Sequence, residues 1–273
     1  MSAYRVTSWL LLLPVLFALP TTAYAGDDSA DKKTIERILQ DIDLVPLMYA
    51  KGEKPMRAES LPKFSAIKLA EYRVGKELAV AEERKRYQAN REKYAQDFPL
   101  RAAIFDAADA IDKIAAQEVR RNLPRTLTPK DKIAVKRDQD ILGLATFQLE
   151  QALVQMSEAG EQRDKEKSKR WQANFDFARA RLAGNFVFLV EYNFLLGQIR
   201  ADNLPALAPG DDGWTPSRLP KIVVPEAKAK NFAKGYGKLL QTIQKNYADT
   251  PWAYFAERDS QRALGMQWMP KKK

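Results

Sequence analysis

After residue 30, apolar residues recur at three- and four-residue intervals along almost the whole chain, and no stretch alternates convincingly like a strand. This periodicity predicts an all-α fold, an elongated bundle of long antiparallel helices closed by a C-terminal helical hairpin. We expect helices over about 31–49, 61–98, 99–115, 128–157 and 175–199, and two more after residue 226. Prolines at 99 and 129 suit the first turn of a helix, where proline is tolerated.

The strongest pattern lies in the fifth predicted helix. Its residues step alternately by three and four positions through Phe175, Ala178, Leu182, Asn185, Leu189, Tyr192, Leu196 and Ile199. This is the heptad seam of a coiled coil with one polar position, Asn185, which we expect to have a buried partner. Apolar residues also cover the other faces between 186 and 196, so the helix should be buried on all sides at the centre of the bundle.

Proline and glycine divide the chain. The segment 203–225 holds five prolines and two glycines, which forbid a long helix and predict a linker. The predicted organisation is a signal peptide over 1–25, a helical bundle over 26–202, the linker over 203–225, and a C-terminal hairpin with a basic tail over 226–273.

The N-terminus has the order of a secretory signal peptide. Arg5 precedes an apolar run over 9–19, and small residues in Ala23-Tyr24-Ala25 follow. We expect cleavage after Ala25 and a periplasmic or secreted protein. A spanning helix needs about 20 apolar residues, and this run is shorter and holds Pro14. Since no later stretch is expected to span a bilayer, the mature chain should not be transmembrane.

Composition excludes several chemistries. The chain has no cysteine and no histidine, which removes disulfides, His-ligated haem, most zinc sites and histidine-dependent catalytic triads. Asp106, Asp109 and Asp112 lie on one helical face, but no loop supplies the converging carbonyls of a calcium site. We therefore predict no metal, no cofactor and no catalytic residue that the sequence alone identifies.

The net charge of +10 limits the partners. For an exported protein, nucleic acid is an implausible partner, and an envelope protein or an anionic glycan or lipid surface is expected instead. Basic and acidic residues are mostly interleaved, which favours solvated helix faces. Two basic stretches are nevertheless candidate binding sites, formed by Lys165, Lys167, Lys169, Arg170 and Trp171, and by Lys271, Lys272 and Lys273. The second should be a tail of the kind that is often disordered.

Glu191 is the carboxylate that the pattern singles out, because it falls in the most apolar stretch. Burial would disfavour its charged form unless a partner compensates it, and such carboxylates can serve as acid/base catalysts. The commoner arrangements are a structural ion pair with an arginine of a neighbouring helix and a position that faces an edge of the bundle.

The C-terminal stretch LLQTIQKNYADTPWAYFAERDSQRALGMQW carries a resemblance. It resembles the C-terminal part of uncharacterised exported proteins of planctomycete-type bacteria, where a Thr-Pro-Trp turn joins two helices and Leu-Gly and an aromatic follow. The matching residues are Thr250, Pro251, Trp252, Ala253, Ala256, Leu264, Gly265 and Trp268. The resemblance implies a bacterial envelope setting and no particular activity. The hairpin is more loosely similar to a single tetratricopeptide-like repeat, although at least three repeats would be needed for a solenoid.

These observations predict a non-enzymatic scaffold or binding protein of the cell envelope that presents helical surfaces to a partner. Two alternatives stay open. One is an enzyme that acts on glycans or lipids with carboxylates alone, which would need two carboxylates facing a cleft. The other is a tetratricopeptide-like adaptor. The oligomeric state is not predicted.

Overall fold

A computed structural model describes residues 60–72, 78–115, 120 and 122–272, together with residues 33, 35, 36, 39, 40 and 47. The predicted signal peptide and most of the first predicted helix lie outside these residues. The described chain is mostly helical, as the periodicity predicts. In chain order its elements are α1 (Ala66–Ala70), α2 (Val80–Ala89), α3 (Arg91–Asp97), α4 (Pro99–Ala115), β1 (Leu123–Pro124), α5 (Pro129–Gly160), α6 (Lys169–Arg200), β2 (Asp211–Leu219), α7 (Ala227–Asn246), α8 (Pro251–Ser260) and β3 (Gly265–Lys272).

The prediction of one helix over 61–98 is wrong, because this region holds the three short helices α1, α2 and α3. Asn90 interrupts the helical backbone with φ −155° and ψ 87°. Its side chain accepts a hydrogen bond from the backbone N–H of Lys93 (3.0 Å) and so caps α3. An asparagine at this position favours a helix start over the interior of a longer helix.

Helix α6 is the core helix of the described fold. It contacts α4, α5, α7, α8 and β3, and its heptad residues other than Asn185 are buried. The seam is therefore buried as predicted, but Phe188, Val190 and Phe194 on the other faces are only half-buried, so the prediction of burial on all sides is wrong. Among the described residues, α6 is also the one helix long and apolar enough to cross a membrane, contrary to our expectation that no later stretch would be. Since α6 packs against five other elements, its high hydropathy is also typical of a core helix in a folded protein.

Asn185 does not have the partner predicted for it. Its side-chain amide donates to the carbonyl of Arg181, one turn earlier in the same helix (2.8 Å). Asn185 is half-buried, and this local hydrogen bond satisfies one of its N–H groups without a partner on another helix.

A three-stranded antiparallel sheet in the order β1-β2-β3 corrects the all-α prediction. Strand β2 lies in the segment predicted as a linker, and β3 lies in the segment predicted as a helix and basic tail. Trp214 pairs with Pro270, and Pro216 pairs with Trp268. Pro216 is tolerated in the middle strand because the pairing with β1 covers only Gly213 and Trp214.

Candidate functional site

Glu191 has partners that the sequence did not indicate. Its Oε1 accepts hydrogen bonds from the backbone N–H groups of Val223 (2.7 Å) and Val224 (2.8 Å). Its Oε2 accepts one from Met266 N–H at the start of β3 (3.1 Å). The side chain is fully buried, so backbone amides, rather than the predicted arginine, compensate its charge. With both oxygens engaged inside the core, Glu191 joins α6 to the sheet rather than facing a cleft.

The basic stretch around α6's start does not form the single surface predicted for it. Arg170 and Trp171 are fully buried, and Arg170 Nη2 donates to the carbonyl of Leu78 (3.2 Å). Lys165, Lys167 and Lys169 are exposed, but Lys169 forms an ion pair with Glu71. The helical turn from 169 to 171 points its arginine and tryptophan into the core, which removes them from the predicted binding site.

The predicted basic tail is also different in the structure. Lys271 and Lys272 belong to β3, where they pair with Gly213 and Asp211 of β2. The ammonium group of Lys271 lies 3.9 Å from Asp212. These two residues are thus part of the sheet rather than a disordered tail, and Lys273 lies outside the described residues.

The aspartates of α4 serve the packing of α2 and α3 against that helix. Tyr87 donates its hydroxyl to Asp106, and burial, together with this hydrogen bond, raises the pKa of Tyr87. Asp109 forms ion pairs with Arg84 (2.5 Å) and Arg91 (3.0 Å). These contacts account for two of the three aspartates as structural groups.

Sequence reasoning missed the outward surface of α5. Large apolar side chains are strongly exposed there, with exposed fractions of 70% for Ile133, 61% for Leu144, 56% for Phe147 and 49% for Val154. They belong to a second series with three-four steps, made of Ile133, Arg137, Asp140, Leu144, Phe147, Gln151, Val154 and Glu158. We name this series the outward seam of α5.

The outward seam lies opposite the buried side of the same helix. The residues that α5 buries are Val135, Leu142, Ala145, Leu149, Ala152 and Met156. A helix with apolar residues on two sides can cover only one of them against its own core. Leu144 and Phe147 are neighbours on this side, and large apolar side chains exposed together can mark an interaction surface in a folded protein.

A groove of about 440 Å³ lies beside the seam, between α5, α6 and α7. We name it the α5–α7 groove. Its apolar walls are formed by Leu153, Val154, Ala183, Phe232, Tyr236 and Leu239. This volume falls in the range typical of small-molecule pockets. Burial raises the pKa of Tyr236, which keeps its hydroxyl neutral.

Close packing of α6 and α7 shapes the floor of the groove. A Cβ atom on Gly184 would lie 2.9 Å from the ring of Tyr236, so only glycine gives the ring its present position. Phe232 lies two helical turns before Leu239 on α7, and the centroids of the Phe232 and Phe186 rings are 4.5 Å apart. Since Gly184 meets Tyr236 and Phe186 meets Phe232, the two helices run in opposite directions along the groove.

The polar residues of the groove are few. Arg179, Glu150, Ser157 and Asn231 line it. Glu150 forms an ion pair with Lys228 (2.5 Å), whereas Arg179 makes no ion pair within the described part of the chain. Apolar walls with few polar groups can hold a ligand by burial and orient it by charge.

The described residues contain no group of three or more acidic side chains that could hold a metal ion. Comparison with protein-family models, with curated proteins and with solved structures found no match.

Proposed function

We propose that this protein is a non-enzymatic scaffold of the cell envelope that assembles through the outward seam of α5. The observation that carries the proposal is the set of four exposed apolar residues, Ile133, Leu144, Phe147 and Val154, among the eight heptad positions of that seam. A helix packs against another helix by inserting such a row into the partner's surface.

We propose that the protein is located in the periplasm or is secreted. This location is supported by the signal-peptide order of Arg5, the apolar run over 9–19 and Ala23-Tyr24-Ala25. The absence of cysteine from the sequence is compatible with that setting, since no disulfide is needed. The finer form of the fold that we propose is an elongated bundle, in which α5 and α6, each of 32 residues, are about 48 Å long. Helices of this length can present an extended surface.

The partner that fits the outward seam is the same seam of a second copy. The spacing of the seam positions is the same whether it is read from residue 133 or from residue 158. Two copies of α5 can therefore pair antiparallel with Leu144 of each copy opposite Phe147 of the other. Asp140 then faces Gln151, and the isologous contact closes with two-fold symmetry. Four large side chains, two leucines and two phenylalanines, would form the centre of the interface.

Charge along α5 also favours the antiparallel pair. Lys130, Lys136 and Arg137 lie in the first half of the helix, and Glu158 lies near its end. None of these four forms an ion pair within the described residues. The first half of α5 carries four basic and three acidic residues, and the second half carries two acidic residues and no basic one. Antiparallel pairing brings these halves together, so Arg137 comes within about one turn of Glu158 of the second copy.

The alternative of a carboxylate-dependent enzyme has less support. It would use two carboxylates at a cleft, and Glu191, the carboxylate singled out by the sequence, is sealed in the core by three backbone N–H groups.

Sedimentation equilibrium of the purified exported protein tests the proposal. We expect a dimer whose population rises with protein concentration. Leu144→Glu and Phe147→Glu should be monomeric, because each places a desolvated charge at the centre of the interface. Met269→Glu is the matched control, since Met269 is an exposed apolar residue of β3. A wild-type protein that is monomeric at all accessible concentrations would overturn the proposal, provided that circular dichroism shows it folded.

A further inference from the structure

We propose that the α5–α7 groove binds a linear free carboxylic acid with a medium-length alkyl chain. The chain would lie between the apolar walls, and the carboxylate would pair with Arg179. This ligand site is distinct from the outward seam of α5, although Val154 borders both.

The walls of the groove suit an alkyl chain. Leu153 and Val154 line it from α5, and Phe232 and Leu239 line it from α7. Ala183 and the ring of Tyr236, both buried, form its floor. A flexible chain of methylene groups is favoured by removal from water, and the polar residues Glu150, Ser157, Arg179 and Asn231 are outnumbered by apolar wall residues.

The size of the groove sets the length of the chain. Phe232 and Leu239 are seven residues apart on α7, which corresponds to about 10 Å along the helix axis. The volume of about 440 Å³ leaves room for one such chain. A medium-length acid therefore fits better than a short acid, which would leave most of the apolar wall exposed.

Charge orients the ligand. Because α6 and α7 run in opposite directions, Arg179, one turn before Ala183, lies at the Leu239 end of the groove. The other end holds Glu150, whose carboxylate already neutralises Lys228. A carboxylate placed there would meet like charge, whereas at the Leu239 end it meets the guanidinium of Arg179. A guanidinium can hold a carboxylate through two parallel hydrogen bonds.

The alternative occupants are less favoured by the same features. A phospholipid carries two chains, which a groove for one chain would leave partly exposed. An alkyl alcohol would bury the same chain without using Arg179. We therefore commit to the free acid and make the alcohol an arm of the test.

Isothermal titration of the full protein with decanoate tests the site, with decanol and acetate as the comparison ligands. We expect saturable binding of decanoate, binding of decanol that is weaker by about fivefold, and no detectable binding of acetate. An ion pair with an exposed guanidinium is worth up to about 1 kcal/mol, which corresponds to about fivefold in affinity.

Two variants locate the ligand. Arg179→Gln should weaken decanoate binding by about fivefold, and Arg179 is exposed, so the fold should tolerate the change. Leu239→Glu should also abolish decanoate binding, because a carboxylate at that end of the groove would pair with Arg179 itself. Lys238→Gln is the control, since it removes one positive charge from the same helix at an exposed residue that does not line the groove.

Three results would overturn this site: no saturable decanoate binding by the wild-type protein, equal affinities for decanoate and decanol, or unchanged binding by Arg179→Gln. Arg179 and Leu239 lie outside the outward seam of α5. Sedimentation of the same variants therefore tests self-association separately, and either proposal can fail without the other.

Discussion

Arg181 of α6 and Asp259 of α8 form an ion pair inside the core, with Nη1 of the arginine 2.7 Å from Oδ2 of the aspartate. The arginine side chain is 8% exposed and the aspartate side chain is fully buried. The other carboxylate oxygen lies 3.6 Å from Arg258 and 3.4 Å from Arg262. The carboxylate of Asp259 thus joins the C-terminal hairpin to the core helix and offsets positive charge from three arginines.

Asp259→Ala should lower the free energy of unfolding by about 3–5 kcal/mol, because it leaves the buried guanidinium of Arg181 without its partner. Denaturant unfolding is the measurement. Lys85→Ala is the control, since it removes an exposed ion pair with Glu82 and should cost at most about 1 kcal/mol. Equal losses in the two variants would mean that the buried pair has no special role.

Local signals predicted the long helices well. Thr128 accepts from Asp131 N–H and Asp131 accepts from Thr128 N–H, so that the two residues form a capping box at the start of α5. The chemistry of a helix start lies within four consecutive residues and can be read from them. The buried seam of α6 could be predicted for a similar reason, because the three-four periodicity lies within one helix and indicates which side of it is buried.

The sheet could not be predicted in the same way. Strands β2 and β3 are neighbours in the sheet but are separated in the sequence by α7 and α8. Their prolines and glycines are residue types more typical of loops than of strands. Gly213 has φ +142°, and a Cβ atom there would lie 1.9 Å from the carbonyl oxygen of Leu123. This close approach of two backbones requires a glycine, yet the sequence shows only a turn-forming residue type.

The features of the candidate sites could not be predicted from the sequence for related reasons. The partners of Glu191 are backbone N–H groups, which every non-proline residue carries, so no residue type marks them. On α5 the three-four spacing of Leu142, Ala145, Leu149, Ala152 and Met156 predicts the row that faces the core, and these residues are buried. The outward seam is half polar, so the same spacing does not make it stand out. Arg179 is one arginine among many basic residues until α5, α6 and α7 are assembled around it.

Glu191→Gln should lower the free energy of unfolding by about 1–3 kcal/mol, because an amide N–H₂ replaces one oxygen that now accepts from a backbone N–H. The loss should be accompanied by increased hydrogen exchange at Val223, Val224 and Met266. Gln198→Leu, a half-buried site on the same helix, is the comparison. Unchanged exchange at all three amides would contradict the role assigned to Glu191.

The ion pair of Arg101 with Glu166 should make stability depend on acid pH. Burial acts to raise the pKa of Glu166, but hydrogen bonds from Arg101 (2.9 and 3.1 Å) and from Ser168 N–H (3.0 Å) outweigh it and lower that pKa. The folded state therefore favours the charged carboxylate. Its contribution is fully present above the ordinary glutamate value of 4.5 and is lost as the pH falls through the lowered pKa.

Unfolding free energies measured from neutral pH to about pH 3 test this dependence. Glu166→Gln should be less stable at neutral pH and should have a shallower acid slope than the wild type. Glu257→Gln, at an exposed position of α8, should keep the wild-type slope. A parallel pair of curves for wild type and Glu166→Gln would show that the carboxylate does not contribute.

The signal-peptide prediction concerns residues outside those described. We expect the exported protein to begin at Gly26, because small residues at 23 and 25 precede that bond. N-terminal sequencing of the protein recovered from the periplasm or medium is the measurement. Ala25→Arg should block processing and retain the apolar segment, whereas Asp27→Asn, beyond the cleavage site, should not. A mature protein that still begins with Met1 would contradict the prediction.

Helix α6 should be the least tolerant of truncation in its core. Leu189 is almost completely buried in the seam, and Leu189→Ala should lower the free energy of unfolding by about 2–5 kcal/mol through lost burial and an unfilled cavity. Leu78, which precedes α2, is only half-buried, so Leu78→Ala should cost less. Denaturant unfolding of the two variants compares the same chemical change at two depths. If Leu189→Ala lowers the free energy of unfolding no more than Leu78→Ala does, α6 is not the central core helix. The interpretation of Glu191 as a buried link between α6 and the sheet then fails as well.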